Sequence, residues 1–525
     1  MTVRRRLPIS AAIVLAAVWA TVPLSSQEGP RPTDMGTPRY VLRGEDRLVR
    51  TYDYILEARF DQAEAEIRRA CGPAPVEACN VLDATALWWR IQLDPENRDL
   101  DGAFTAAVDR AIESAEAWTE RAPDDPEAWF YLGGAYGVRV QWRVLRREKI
   151  AAARDGKQIR AALERAVTLE PGFDDAYFGL GMYKYYADVA PAAARLLRFL
   201  LLLPGGDREQ GLEEMLRARR QGRLLQGEAD YQLHIIYLWY ERQPDRALEL
   251  LQGLHARYPA NPLFLAQIAQ IQETYQHDIT ASLETWRTLL AAAREHRVNN
   301  AVLGEVRARL GAARMLEALY LTDDALEHLK AVTALKPRVP YSSLAVALLK
   351  LGEAHDRMGA RSAAVSAYRG AVAAVPALDP FDVRAQATER LRRAPDGRRA
   401  EAYRLSLEGW RRLERNDLPG ATAALERSLA LDADDPVGHY RYGRVLQARR
   451  LDAAALAQYD LTIRRARRCP APVLGNTYLE SARLHERLGN RDEALSAFKI
   501  ASTLFGAAAD TRAAAERALA RLTAR

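Results

Sequence analysis

At 525 residues the chain has room for three or four closed domains, unless it is built of repeats that stack without a closed core. Its 49% apolar and 27% charged residues give a folding composition and exclude a largely disordered chain. The formal charge of +6 falls to +3 without Arg4, Arg5 and Arg6, near neutrality for this size, which argues against a nucleic-acid-binding surface.

The N-terminus is separate from the fold. Arg4–Arg6 form a positive start, Ile9 to Val22 an apolar stretch, and SSQEGPRPTDMGTP a polar, Pro-rich exit. This reads as a secretory signal peptide over residues 1–26 followed by a flexible linker over 27–40, and predicts an exported, periplasmic protein. The apolar stretch falls short of the ~20 residues a bilayer-spanning helix needs, so no integral span is expected after cleavage. Cys71 and Cys79 lie close together in CGPAPVEAC; in an exported chain they form either a small disulfide across a Pro-containing turn or two unpaired thiols. Cys469 has no evident partner.

Helical patterns then follow one another. Residues 41–70 and 78–122 read as helices. Trp129 to Gly133 with Tyr136 start a first helix, whose partner is expected late, at Ala161–Leu169, after an insertion over 137–156. Tyr177, Leu180 and Gly181 start another. Pro191 opens an apolar helix that should stop at Pro204-Gly205-Gly206, with Asp207 capping the next helix. That turn lacks the Gly-x-x-x-x-Gly-Lys-Ser/Thr spacing of a phosphate loop and reads as a buried turn. Tyr231–Pro259, 262–298 and 306–337 continue as helix pairs.

The C-terminal third repeats openly. With 345–378, 402–435, 436–469 and 475–508 set under one another, Gly352, Gly409, Gly443 and Ala482 share a column. Ala364, Ala421, Ala455 and Ala494 follow, then Tyr368, Leu425, Tyr459 and Phe498. The two middle units abut with a period of 34 residues. Small residues let two helices approach and the large residue fills the gap beside them; such a unit buries its apolar face only by stacking on neighbours. DVRAQATERLRR at 382–393 and DTRAAAERALAR at 510–521 resemble each other and read as capping helices. The polar stretch 394–399 is the expected break between a divergent array over 41–394 and a C-terminal array over 401–525, one continuous superhelix being the alternative.

These columns resemble those of tetratricopeptide-repeat proteins. The resemblance implies an all-α fold, a right-handed superhelix of helix–turn–helix pairs whose first helices line a concave groove. Carried onto this chain, the groove columns hold Phe130, Phe178, Met182, Tyr185, Tyr186, Trp239 and Tyr240. The Lys and Asn carboxylate clamp of the chaperone-binding members is absent, because the matching C-terminal columns hold Leu349, Glu353, Tyr440 and Arg444.

No catalytic, metal or cofactor site is expected. His485-Glu486 lacks the second His of a zinc motif, and no Gly-x-Ser-x-Gly elbow is present. His355 and His485 share a repeat column and read as structural. Asp124-Asp125, Asp174-Asp175 and Asp434-Asp435 precede first helices, where carboxylates suit the helix dipole. Arg464-Arg465-Ala466-Arg467-Arg468 ends a helix, where cations suit it. The function expected is an exported, non-enzymatic scaffold that binds a peptide or protein of the cell envelope through its groove. The alternative is a periplasmic receptor for an apolar small molecule or lipid working with a transporter, with 137–156 and 190–225 closing over a pocket.

Overall fold

Polar punctuation in the sequence sets several of the helix starts. In the computed structural model, which describes residues 39–189 and 205–524, Asp125, Asp207, Asp278, Asp396, Asp417 and Asp435 each accept a hydrogen bond from a backbone N–H of the helix that follows. Each such cap is worth about 1 kcal/mol. Pro126, Pro244 and Pro436 occupy first helical positions, where the missing N–H is no loss. The expected signal peptide, most of the expected linker and the helix expected to begin at Pro191 lie outside the described residues.

Among the described residues there are 24 α-helices, a short 3-10 turn at Ala466–Arg468 and no strand. They form two compact units, one ending at Asn261 and one beginning at Pro262. The first contains α1 (Glu45–Leu56), α2 (Phe60–Ala70), α3 (Val76–Leu93), α4 (Asp101–Arg121), α5 (Pro126–Leu145), α6 (Lys149–Leu169), α7 (Ala176–Val189), α8 (Arg208–Gln221), α9 (Gln226–Trp239) and α10 (Pro244–Arg257). The second contains α11 (Pro262–Thr274), α12 (Ile279–Arg294), α13 (Ala301–Ala318), α14 (Thr322–Leu335), α15 (Ser343–Arg357), α16 (Arg361–Ala374), α17 (Val383–Arg392), α18 (Gly397–Glu414), α19 (Leu418–Leu431), α20 (Pro436–Ala448), α21 (Asp452–Arg464), α22 (Ala471–Arg487), α23 (Arg491–Thr503) and α24 (Ala509–Thr523). The described residues form an all-α helical-repeat protein.

The repeat columns do what their sizes require. A Cβ on Gly443 of α20 would stand 2.4 Å from Cε1 of Tyr459 on α21, and one on Gly352 of α15 2.4 Å from Cε1 of Tyr368 on α16. Both tyrosines are fully buried. Their hydroxyls donate to Gln447 and Asp356, each four residues after the column glycine. Where the column holds Ala482, the partner on α23 is Phe498, which has no hydroxyl to anchor, and both are buried in one cluster. Glycine stands opposite each anchored tyrosine, which cannot retreat from a methyl group, and opposite Leu425, to which a Cβ on Gly409 would come within 2.5 Å; alanine stands opposite the unanchored Phe498.

The stretch 394–399 lies within the second unit, where Asp396 caps α18 and α17 buries Val383 and Ala387 beside Tyr368. Two expectations need correction. The insertion over 137–156 is no lid. It lengthens both arms of one hairpin, so that α6 starts at Lys149 rather than Ala161 and α5 and α6 run 20 and 21 residues. Arg139 and Arg143 of α5 hold the buried Asp155 of α6 at 2.9 and 2.6 Å, fixing the longer crossing. Finally, Arg39 and Tyr40 are not linker: the Tyr40 N–H donates to the Gly172 carbonyl at 3.1 Å.

Each unit also closes on itself. In the first, Asn261 donates to the Leu56 carbonyl at 2.7 Å and Tyr258 to Asp53 at 2.7 Å, bringing the end of α1 to the end of α10. In the second, the ring of Phe505 lies 5.1 Å from that of His277, so the turn between α11 and α12 meets the approach to α24.

Candidate functional site

The C-terminal ends of α7 and α9 bring three tyrosines together. Tyr185 and Tyr186 are consecutive on α7, and Tyr240 follows the last residue of α9. The ring centroids are 5.6 Å apart for Tyr185 and Tyr186, 5.9 Å for Tyr185 and Tyr240, and 5.4 Å for Tyr186 and Tyr240, all edge to face. Tyr185 is fully buried and donates its hydroxyl to Glu241, which also pairs with Arg208 at the start of α8. Burial first, then the bond to Glu241, raises the Tyr185 phenol above its ordinary range; burial raises Tyr186 and Tyr240 too. All three are neutral donors at physiological pH.

In this cluster Tyr240 is 41% exposed and Tyr186 half-buried; Trp239, the residue before Tyr240, is 39% exposed. Met182 is half-buried one turn before Tyr186, on the same face of α7. Large, stiff aromatic rings with polar tips offer contact area at little rotamer cost, which suits a protein or peptide side chain. The other two groove candidates do not join. Phe130 is 5% exposed and packs on Phe173 at 4.6 Å; Phe178 is 7% exposed and belongs to the core.

Further along α9, its inner face is covered rather than open. Glu228, 3% exposed, accepts from Tyr52 Oη and Trp89 Nε1 at 3.1 Å each and from Gln232 Nε2 at 3.0 Å. Gln232 also donates to Gln141 at 2.7 Å. Side chains of α1, α3 and α5 thus meet α9 inside the first unit. Burial raises the Glu228 carboxyl above the usual range, opposed by its three donors. Burial also holds His234, on the same helix, neutral by lowering it to about 3. Sequence patterns show none of this network, since Tyr52 and Glu228 are 176 positions apart.

The second unit has a matching covered interior. Arg441, 3% exposed, donates to Ser406 Oγ at 3.0 Å and to the Tyr320 carbonyl at 2.7 Å. Arg411 reaches Asp323 and Asp324 at 2.6 and 2.7 Å. Leu349 and Tyr440, in the columns that match a groove, are buried.

Cys71 and Cys79 are joined as a disulfide between α2 and α3, with Cα atoms 6.0 Å apart. Cys469 is half-buried, and burial lifts its thiol to about 12. His485 faces Asn490 at 3.3 Å, and burial lowers His355. Among the described residues no group of three His, Cys, Asp or Glu is placed to hold a metal ion, and no helix is long and apolar enough to cross a membrane. The basic run is split: Arg465 pairs with Asp434 at 2.7 Å, while Arg464, Arg467 and Arg468 are exposed. Among the described residues one open cleft lies beside α17 and another between Tyr54 and Tyr258; neither includes the tyrosine cluster or residues 137–156.

No family model and no curated protein matches the chain. Solved structures that resemble it include a tetratricopeptide repeat protein from Parabacteroides merdae, at 15% identity over 57% of this chain and 99% of that one, with a TM-score of 0.26. A Rap protein complexed with competence and sporulation factor matches at 13% identity over 91% of this chain and 99% of that one, TM-score 0.33. The yeast Sti1 TPR2AB domain in complex with pHSP90 matches at 15% over 57% and 96%, TM-score 0.20. Likeness this loose says nothing of ligands.

Proposed function

We propose that the protein is an exported, non-enzymatic scaffold that binds a protein segment of the cell envelope, and that the contact is made by Tyr186, Trp239 and Tyr240. The observation that carries this reading is the edge-to-face meeting of Tyr186 and Tyr240 at the ends of α7 and α9, with Tyr240 and its chain neighbour Trp239 about two-fifths exposed. The buried Tyr185, bound to Glu241, fixes the rings from behind. A rigid aromatic platform with a free outer surface is what a peptide anchor needs. It narrows the expected groove to one end of the first unit, since Glu228 and its partners fill the inner face of α9 nearer its start. The small-molecule receptor reading called for residues 137–156 and 190–225 to close over a pocket; 137–156 extend α5 and α6 instead, and 190–204 lie outside the described residues.

The test is crosslinking in the cell of origin with the tagged mature protein, followed by mass spectrometry. One envelope protein should be recovered in near-stoichiometric amount, and Trp239→Ala with Tyr186→Ala should lose it while the melting curve is kept. Equal recovery with the doubly substituted chain would refute the assignment. A lipid or metabolite carried through purification, with no protein partner, would restore the receptor reading.

A further inference from the structure

The residues just before α1 lie in a site of their own. Residues 39–42 carry no regular structure, yet they are held like a bound peptide. Two backbone groups are fixed, the Tyr40 N–H on the Gly172 carbonyl at 3.1 Å and the Arg43 N–H on Glu127 Oε1 at 2.9 Å. The Tyr40 ring packs on Phe173 at 4.7 Å, and Leu42 is 3% exposed. The Arg43 guanidinium pairs with Asp125 at 2.6 Å and lies 5.0 Å from the Trp118 ring. Val41, between them, is 61% exposed and takes no part. Every receptor group is more than 70 residues away along the chain, on α4, α5 and the turn before α7.

The resident segment leaves part of this site unused. Glu127 is fully buried and Tyr131 is 2% exposed, yet Glu127 Oε2 and the Tyr131 hydroxyl have no hydrogen-bond partner. Both stand on α5 one turn apart, beneath the segment. A buried carboxylate oxygen and phenol left unsatisfied are costly, and in native proteins they call for an explanation. A segment with a donor at that point would satisfy what residues 39–43 do not.

We propose that Trp118, Asp125, Glu127, Tyr131 and Phe173 form a binding site for an extended protein segment of aromatic–x–apolar–arginine type with one further hydrogen-bond donor facing Glu127 Oε2, a site occupied in cis by Tyr40-Val41-Leu42-Arg43. A partner segment of this chemistry exchanges with the resident one. The charge fits at the Arg43 end, where the receptor presents Asp125 and Glu127, while Arg39 is held by Glu45 at the start of α1. The site is separate from the tyrosine cluster, so Glu127→Gln leaves any partner crosslinked through Trp239 in place.

The probe is a fluorescent synthetic peptide of residues 39–46, RYVLRGED, titrated by anisotropy against the full chain and against the full chain carrying Tyr40→Ala and Arg43→Ala. The substituted chain should bind at least tenfold tighter than the unsubstituted one, and Glu127→Gln added to it should abolish binding. No saturable binding to a substituted chain whose circular dichroism and melting are unchanged would overturn the proposal. If that chain does not fold, hydrogen exchange on the unsubstituted protein decides. The Tyr40 and Arg43 amides must exchange by local release well before those of α1; exchange only together with α1 means the segment never leaves, and the proposal fails.

Discussion

Substituting Gly443 by Ala adds one methyl group to the point where α20 and α21 cross. The new Cβ would stand 2.4 Å from Cε1, 2.7 Å from Cδ1 and 3.2 Å from Cζ of Tyr459. The ring cannot swing away, because Tyr459 is fully buried and its hydroxyl is bound to Gln447. Overpacking of this kind costs about 1–3 kcal/mol, while replacing a helical Gly by Ala returns about 1 kcal/mol. The expected net loss is therefore up to about 2 kcal/mol. Gly370→Ala on α16 is the control within the same unit, since its Cβ would meet only the Leu348 methyls at 3.5 Å, an ordinary contact. It should gain close to 1 kcal/mol, about the full helix-propensity difference. Urea unfolding followed by circular dichroism reads both, and hydrogen exchange over 436–464 reads the effect of Gly443→Ala locally. Tyr459→Phe should soften the effect of Gly443→Ala, because the freed ring can shift as Phe498 does beside Ala482. If Gly443→Ala stabilises as much as Gly370→Ala, the anchored-ring account of the repeat column is wrong.

Alkylation of the unfolded, unreduced protein should modify one cysteine, Cys469, and all three only after reduction; three modified without reductant would mean Cys71 and Cys79 are not bridged. Closing so short a loop should contribute about 2–3 kcal/mol by chain entropy, read as a lower urea midpoint for Cys71→Ser with Cys79→Ser. His234, lowered to about 3 by burial, is neutral in the fold but takes up a proton on unfolding below pH ~6.5. Its stabilising contribution is thus complete above pH ~6.5 and lost as pH falls toward 3, amounting to about 2–3 kcal/mol by pH 4.5. His234→Gln should reduce the fall in unfolding midpoint between pH 7 and 4.5, and an unchanged fall would place the acid sensitivity elsewhere.

Much of the local order is legible in the sequence because its causes are local. An Asp before a helix caps it whatever lies beyond, and the pairing of Gly443 with Tyr459 or Ala482 with Phe498 spans only sixteen positions. The insertion over 137–156 was harder to place, because its helical continuation rests on Arg139 and Arg143 finding Asp155 across the hairpin. Of the seven candidate groove residues, the column pattern names the tyrosines that meet but also Phe130 and Phe178, which turn into the core. Whether a column faces a groove depends on what the superhelix brings opposite it. That outcome accumulates over many small rotations between successive pairs, none of which has a signature of its own. The sequence by itself determined the helices, their caps and the way each pair packs. Only the tertiary structure decided that each unit closes on itself, that Tyr52 and Trp89 cover Glu228, and that residues 39–43 fill a site on α4 and α5, because those contacts join groups from about 80 to nearly 230 positions apart.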